Sequence, residues 1–201
     1  MTLTEMLNEV ILITNRPDMA AYTTSVLKAS TLKLHTSDFF YKDIKEVSLN
    51  FPVLDYIQYI DTQNMFTDFR SLKYFRPLYI GTDALHTVYP GNFLEVLDPS
   101  GVLDSYYLNK VDIAYQAGSQ LTIRTANQFQ QAVLGYYAYP NTTDASYDSW
   151  IAREYPWAII YDAAAKILKS LRYDEQANGA KEFAAEFRGL LIASNIVASG
   201  S

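Results

Sequence analysis

The chain has 201 residues, 49% of them apolar and 19% charged, enough for one domain with a real core or one domain carrying a substantial insertion. A net charge of −6, with the basic residues scattered, excludes tight charge-driven binding to nucleic acid, because phosphate contacts need clustered Lys and Arg. The absence of Cys excludes a disulfide framework and a thiolate metal site, and suits assembly in a reducing cytoplasm.

The opening run MTLTEMLNEVILIT lacks the basic start of a signal peptide, since Glu5 and Glu9 interrupt its apolar residues. No uninterrupted apolar segment approaches the length of a membrane span, so neither a secretory leader nor membrane insertion is expected. The same run predicts a helix over Thr2–Ile13. Thr2 and Glu5 form a capping-box pattern, and Leu3, Met6, Leu7, Val10 and Ile11 line one side. Asn15-Arg16-Pro17-Asp18 stops it and starts a second helix, Met19 to about Leu34, with Tyr22, Val26, Ala29 and Lys33 at helical spacing.

From Phe39 to about Pro140 the pattern changes to short runs separated by turns. Ile44–Phe51 and Tyr56–Ile60 read as strands. Phe93–Leu97, the turn Asp98-Pro99-Ser100-Gly101 and Val102–Leu108 read as a hairpin, with Pro and Gly where a turn needs them. Val111–Tyr115 and Leu121–Ala126, joined by Gln116 to Gln120, form a second hairpin, and Ala132–Tyr139 is a last, Tyr-rich strand.

Ser146–Val197 reads as a helical hairpin. Asp148 is cap-like, and Pro156 sits where a helix can begin, its missing N–H having no partner there. Trp157, Ile160, Tyr161, Ala164, Ile167, Leu168 and Leu171 form one apolar stripe. After the break at Arg172-Tyr173-Asp174, Ala177, Ala180, Ala184, Phe187, Leu190 and Leu191 form another. Two helices cannot cover both stripes by themselves. The expected fold is therefore α+β: a helical bundle built from N- and C-terminal hairpins, with an inserted antiparallel β domain. The expected divisions are an N-terminal hairpin at 1–37, a β-rich domain at 38–145, and a C-terminal hairpin and tail at 146–201 that pack with 1–37. Ala198-Ser199-Gly200-Ser201 has the composition of a mobile tail.

Signatures of chemistry are sparse. There is no phosphate-cradling Gly-rich loop, no G-x-S-x-G elbow and no H-E-x-x-H. Of the two His, His35 falls near a helix C-terminus, where it complements the dipole, and His86 falls in a loop. Asp61, Asp68 and Asp83 fall in or near loops, where solvated acids outnumber a glycosidase pair. Asn141-Thr142-Thr143 matches a glycosylation acceptor and reads most simply as a loop. Neither catalysis, a metal nor a cofactor is expected. Seventeen Tyr suit both β-sheet surface and protein–protein contact, which leaves a carbohydrate- or peptide-binding module with a Tyr-rich β surface as an alternative function.

The opening TLTEMLNEVILITNRPDMAAYTTSVLKASTLKLHTSDFFYKDIKE resembles the start of bacteriophage head-to-tail adaptor (connector) proteins. Those begin with a helix closing on an N-R-P-D-like turn and a helix leading to an aromatic, acidic segment, here Asp38-Phe39-Phe40-Tyr41-Lys42-Asp43. DSWIAREYPWAIIYDAAAKILKSL and EQANGAKEFAAEFRGLL are similar to that family's closing helices. The resemblance covers roughly half the chain and implies a structural virion protein, assembled in the bacterial host cytoplasm. Family members form a homo-oligomeric ring, commonly dodecameric, between portal protein and tail proteins, through which DNA passes without specific binding. Carried to this chain, the family's portal-contacting C-terminal part points to Leu190, Leu191, Ile196, Val197 and Ser201.

Overall fold

The computed structural model describes residues 1–80, 87–102 and 110–199. In chain order the elements are α1 (Leu3–Thr14), α2 (Ala20–Thr36), β1 (Ile44–Asp61), α3 (Thr62–Met65), β2 (Phe69–Ile80), β3 (Val88–Pro90), β4 (Glu95–Leu97), α4 (Pro99–Val102), β5 (Ile113–Ala117), β6 (Gln120–Ala138), α5 (Trp150–Glu154), α6 (Pro156–Ser170) and α7 (Asp174–Ser199). They fall into two compact units, one of Met1–Asp43 with Tyr139–Ser201, the other of Ile44–Ala138.

In the helical unit, local chemistry sets the helix ends. The Thr2 hydroxyl accepts from Glu5 N–H at 3.2 Å while the Glu5 carboxylate accepts from Thr2 N–H at 2.7 Å, so the capping box closes as its spacing predicts. Asn15 takes a left-handed conformation at φ 51° and ends α1. Arg172, at φ 64°, makes the break between α6 and α7, and Pro156 occupies the first turn of α6. Met6, Val10, Leu27, Ile151, Ile160 and Leu191 meet in one core. Full burial of each such side chain contributes about 1.5–3 kcal/mol. The C-terminal part is three helices rather than a hairpin. Ser149, not Asp148, caps the extra short helix α5, its Oγ accepting from Ala152 N–H at 3.2 Å. Of the expected mobile tail, Ala198 and Ser199 belong to α7, one helix of 26 residues, and Gly200 and Ser201 lie outside the described residues.

The sheet unit departs further from expectation. The 19-residue strand β6 is its spine, with β1 along one side and β2 and β5 along the other, all antiparallel. β3 pairs with β2, and β4 pairs in parallel with β5. The expected helical bundle with an inserted antiparallel β domain is thereby overturned. The strands form one curled, mixed, half-barrel sheet with its own core, where an antiparallel domain is expected.

The sheet departs from the expected hairpin at the Pro-Gly segment. Pro99 starts the short helix α4, and the Asp98 side chain accepts from Ser100 N–H at 2.8 Å. β4 thus leads into α4 instead of turning back as a hairpin, and it pairs in parallel with β5. Residues 103–108 of the expected partner strand lie outside the described residues.

β2 was invisible to alternation because Pro77 sits inside it. Two expected strand pairs are instead single long strands: β1 continues through Phe51-Pro52, and β6 joins Leu121–Ala126 to Ala132–Tyr139. The turn before β6 does form as read, on Gly118 at φ 63°. Gly135 in β6 has a packing reason. A Cβ there would lie 2.2 Å from the Tyr74 ring, which crosses it so that the Tyr74 hydroxyl donates to Glu46 on β1 at 2.5 Å. That bond, then burial, pushes the Tyr74 phenol up to about 12.

Candidate functional site

Two features of the structure bear on function: a buried polar network in the helical unit and an exposed apolar run in the sheet unit. His35, near the C-terminal end of α2, turns inward instead of simply facing the helix dipole. Its Nδ1 donates to Asp43 Oδ1 at 2.8 Å, and its Nε2 lies 2.9 Å from Ser149 Oγ. The Trp150 indole N–H donates to the same Asp43 oxygen at 2.7 Å, and the His35 and Trp150 rings meet edge-on at 5.8 Å.

Ser–His–Asp is the order of a nucleophile, its base and the base's orienter. Here the serine already serves as the α5 cap, and all three residues are buried. Ser149 reaches an adjoining open groove of about 490 Å³ with only 4% of its surface exposed. What the arrangement does visibly is fasten α2, the turn at Tyr41–Asp43 and α5 together, satisfying polar groups that would be costly to bury alone. No local pattern announces it, because its members are far apart in the chain.

The apolar run lies on β1. Its pairing with β6 is regular from Ile44 to Asn50 and from Ile57 to Asp61, and irregular between. Gln58 pins the irregular stretch, its side-chain amide donating to Val53 O at 2.7 Å and, more weakly, to Phe129 O at 3.4 Å. Beneath it Phe51 and Phe75 each meet Phe129 edge-on, at 5.5 and 5.9 Å. With the inner face filled, the bulge turns Val53, Leu54, Tyr56, Ile57 and Tyr59 outward, Val53 and Tyr59 being 61% and 62% exposed. Tyr56 and Ile57 continue into a shallow groove of about 320 Å³ with Val111, Arg124 and Ala126. Among the described residues β1 pairs only with β6, so its outer edge carries no strand. Phe51-Pro-Val-Leu-Asp-Tyr-Ile carries apolar residues at both strand parities, which was the signal that both faces could not be buried.

The C-terminal residues singled out from the sequence separate. Leu190 and Ile196 stand outward on α7, 54% and 51% exposed. Leu191 is fully buried in the helical core, so it is unavailable for contact with another protein. Val197 belongs to the α7 backbone; its side chain, and Ser201, lie outside the described residues.

The loop acids have structural partners. Asp61 caps α3 through Gln63 N–H at 3.1 Å. Asp68 accepts from Lys45 and, at 2.9 Å, from the Tyr136 hydroxyl. Burial, then that bond, pushes the Tyr136 phenol up to about 12. Asp83 and His86 lie outside the described residues. Asn141 accepts from Thr143 N–H at 3.0 Å, shaping the loop expected there. Among the described residues no group of three His, Asp or Glu could hold a metal, and no helix is long and apolar enough to cross a membrane. No protein-family model matches the chain, and no curated protein matches it.

Proposed function

We propose that the chain is a structural virion protein, the head-to-tail adaptor of a bacteriophage. It forms a homo-oligomeric ring, dodecameric as in the family it resembles, that joins the portal vertex of the capsid to the tail and continues the DNA channel. The observation that carries this reading is the β1 run: five large apolar side chains exposed within Val53–Tyr59, on a strand with an open outer edge. Contiguous apolar surface of this kind marks a site that a protein partner covers. A ring neighbour or a tail protein supplies such cover, and closure of the ring leaves no further copy needed. The net charge of −6 suits a wall past which DNA slides without being gripped.

The test is to mix the full chain with a cognate phage portal protein and examine the product by mass measurement and negative-stain imaging. A ring stacked on portal is expected, and paired Val53→Asp and Tyr59→Asp substitutions abolish it. A wild-type chain that ignores portal overturns the assignment. The exposed Tyr56, Tyr59 and Tyr89 favour a carbohydrate- or peptide-binding module as the second reading. Saturable binding of a glycan or peptide by a chain that ignores portal would move the assignment there.

A further inference from the structure

The helical unit carries a cationic groove that neither the fold nor the adaptor reading uses. It lies between α2, α6 and α7, with a volume of about 140 Å³. Leu34, Ala158 and Ala184 give it an apolar floor, and Lys33, Lys181 and Arg188 give it a basic rim. Its one acid, Asp162, is already engaged, 2.6 Å from Lys33 and 2.7 Å from Lys166. Burial raises the Asp162 carboxyl, yet hydrogen bonds from Lys166, Lys33 and Ser30 outweigh it and hold the group below its ordinary range.

Three cations, Lys33, Lys181 and Arg188, thus line a groove that holds one carboxylate, in a chain whose net charge is −6. Among the described residues Lys181 and Arg188 have no ion-pair partner, and both are exposed. The acids nearest them in sequence, Glu182 and Glu186, project elsewhere. At about 100° per residue they lie roughly 100–140° around the helix from Lys181, while Arg188 returns to its side.

We propose that this groove is a docking pocket for a carboxylate side chain, Glu or Asp, presented by a segment of a partner protein. The planar fork of Arg188 can hold both carboxylate oxygens, with Lys181 as a second point charge. The alanine and leucine floor accepts the methylenes behind the carboxylate. A volume of about 140 Å³ is below the roughly 300–1,000 Å³ of pockets that enclose a drug-sized ligand, and suits a single side chain. A protein of this overall charge also lacks the string of cations that tracks a phosphate backbone. The inference stands independently of the adaptor reading, since it specifies the partner's chemistry and not its identity.

The experiment is a titration of the full ¹⁵N-labelled chain at fixed ionic strength with an end-blocked hexaglutamate peptide. Its hexaglutamine analogue, inorganic phosphate and a short DNA duplex are titrated in parallel. The glutamate peptide is expected to shift saturably the amide signals around Lys181 and Arg188, and the glutamine peptide to leave them unmoved. Arg188→Glu and, separately, Lys181→Glu should each weaken binding at least tenfold. Lys28→Glu, a charge reversal outside the groove lining, should not. The proposal is overturned if there is no saturable shift, if glutamate and glutamine peptides respond equally, if phosphate or DNA binds the same signals more tightly, or if Lys28→Glu weakens binding as much as Arg188→Glu.

Discussion

The two units close their interiors by different means. The helical unit joins helices far apart in sequence with buried polar side chains: His35, Asp43, Ser149 and Trp150 exchange hydrogen bonds among apolar residues. The sheet unit has an aromatic and aliphatic core, and meets its tightest spot by omission, laying the Tyr74 ring over a residue with no side chain. Outside, the contrast widens. The sheet unit leaves an apolar strand uncovered, whereas the cationic groove of the helical unit leaves charge uncovered. Specific polar geometry makes one unit intolerant of losing a partner, and close packing makes the other intolerant of gaining an atom.

Substitution on each side sharpens that contrast. His35→Ala should be the most damaging, because it strips a buried carboxylate of one of its two donors, leaving only Trp150, and leaves Ser149 short of one bond. A loss of about 3 kcal/mol or more is expected from the lost hydrogen bonds together with the cavity the ring leaves, read as a lowered urea midpoint. A variant as stable as the parent would show that the network contributes little. Gly135→Val should cost about 1–3 kcal/mol by overpacking against Tyr74, and a Tyr74→Ala background should recover part of it. Without such recovery, the glycine is there for another reason. The smallest effect belongs to Val53→Ser with Leu54→Ser, expected within about 0.5 kcal/mol of the parent because both side chains are already in water. The readout there is self-association on concentration, which should fall. A marked loss of stability would mean that the run belongs to the fold and not to a partner.

Legibility in the sequence followed the range of the forces involved. Helix ends were readable where the signal was local: Thr2 with Glu5, Asn15 and Pro156 each act within a turn or so. The sheet was misread where a local signal had a non-local outcome. Asp98-Pro99-Ser100-Gly101 has good turn chemistry, but whether it closes a hairpin or opens a crossover is decided by pairing with β5, which the turn does not encode. Pro52 argued for a break and instead sits within a long strand, at the irregular stretch of β1, just as Pro77 sits within β2 against Ala132. Of the candidate contact residues, Leu190 and Leu191 are neighbours with opposite fates. The single residue of helical rotation that separates them was beyond what their apolar character could settle.

The position of β6 also has a kinetic consequence. Ile44 pairs with Tyr137, and Leu72 with Tyr136, so the earliest strands wait for the last one to be synthesised. The first two helices wait longer still, since their core partners come from α5, α6 and α7. Contacts of such long range make for slow closure after a costly search. Until β6 leaves the ribosome, β1 is exposed along both edges, one awaiting β6 and one with no strand to await among the described residues. The period of greatest vulnerability to wrong pairing is therefore during synthesis, and it is borne by the same strand that remains uncovered afterwards.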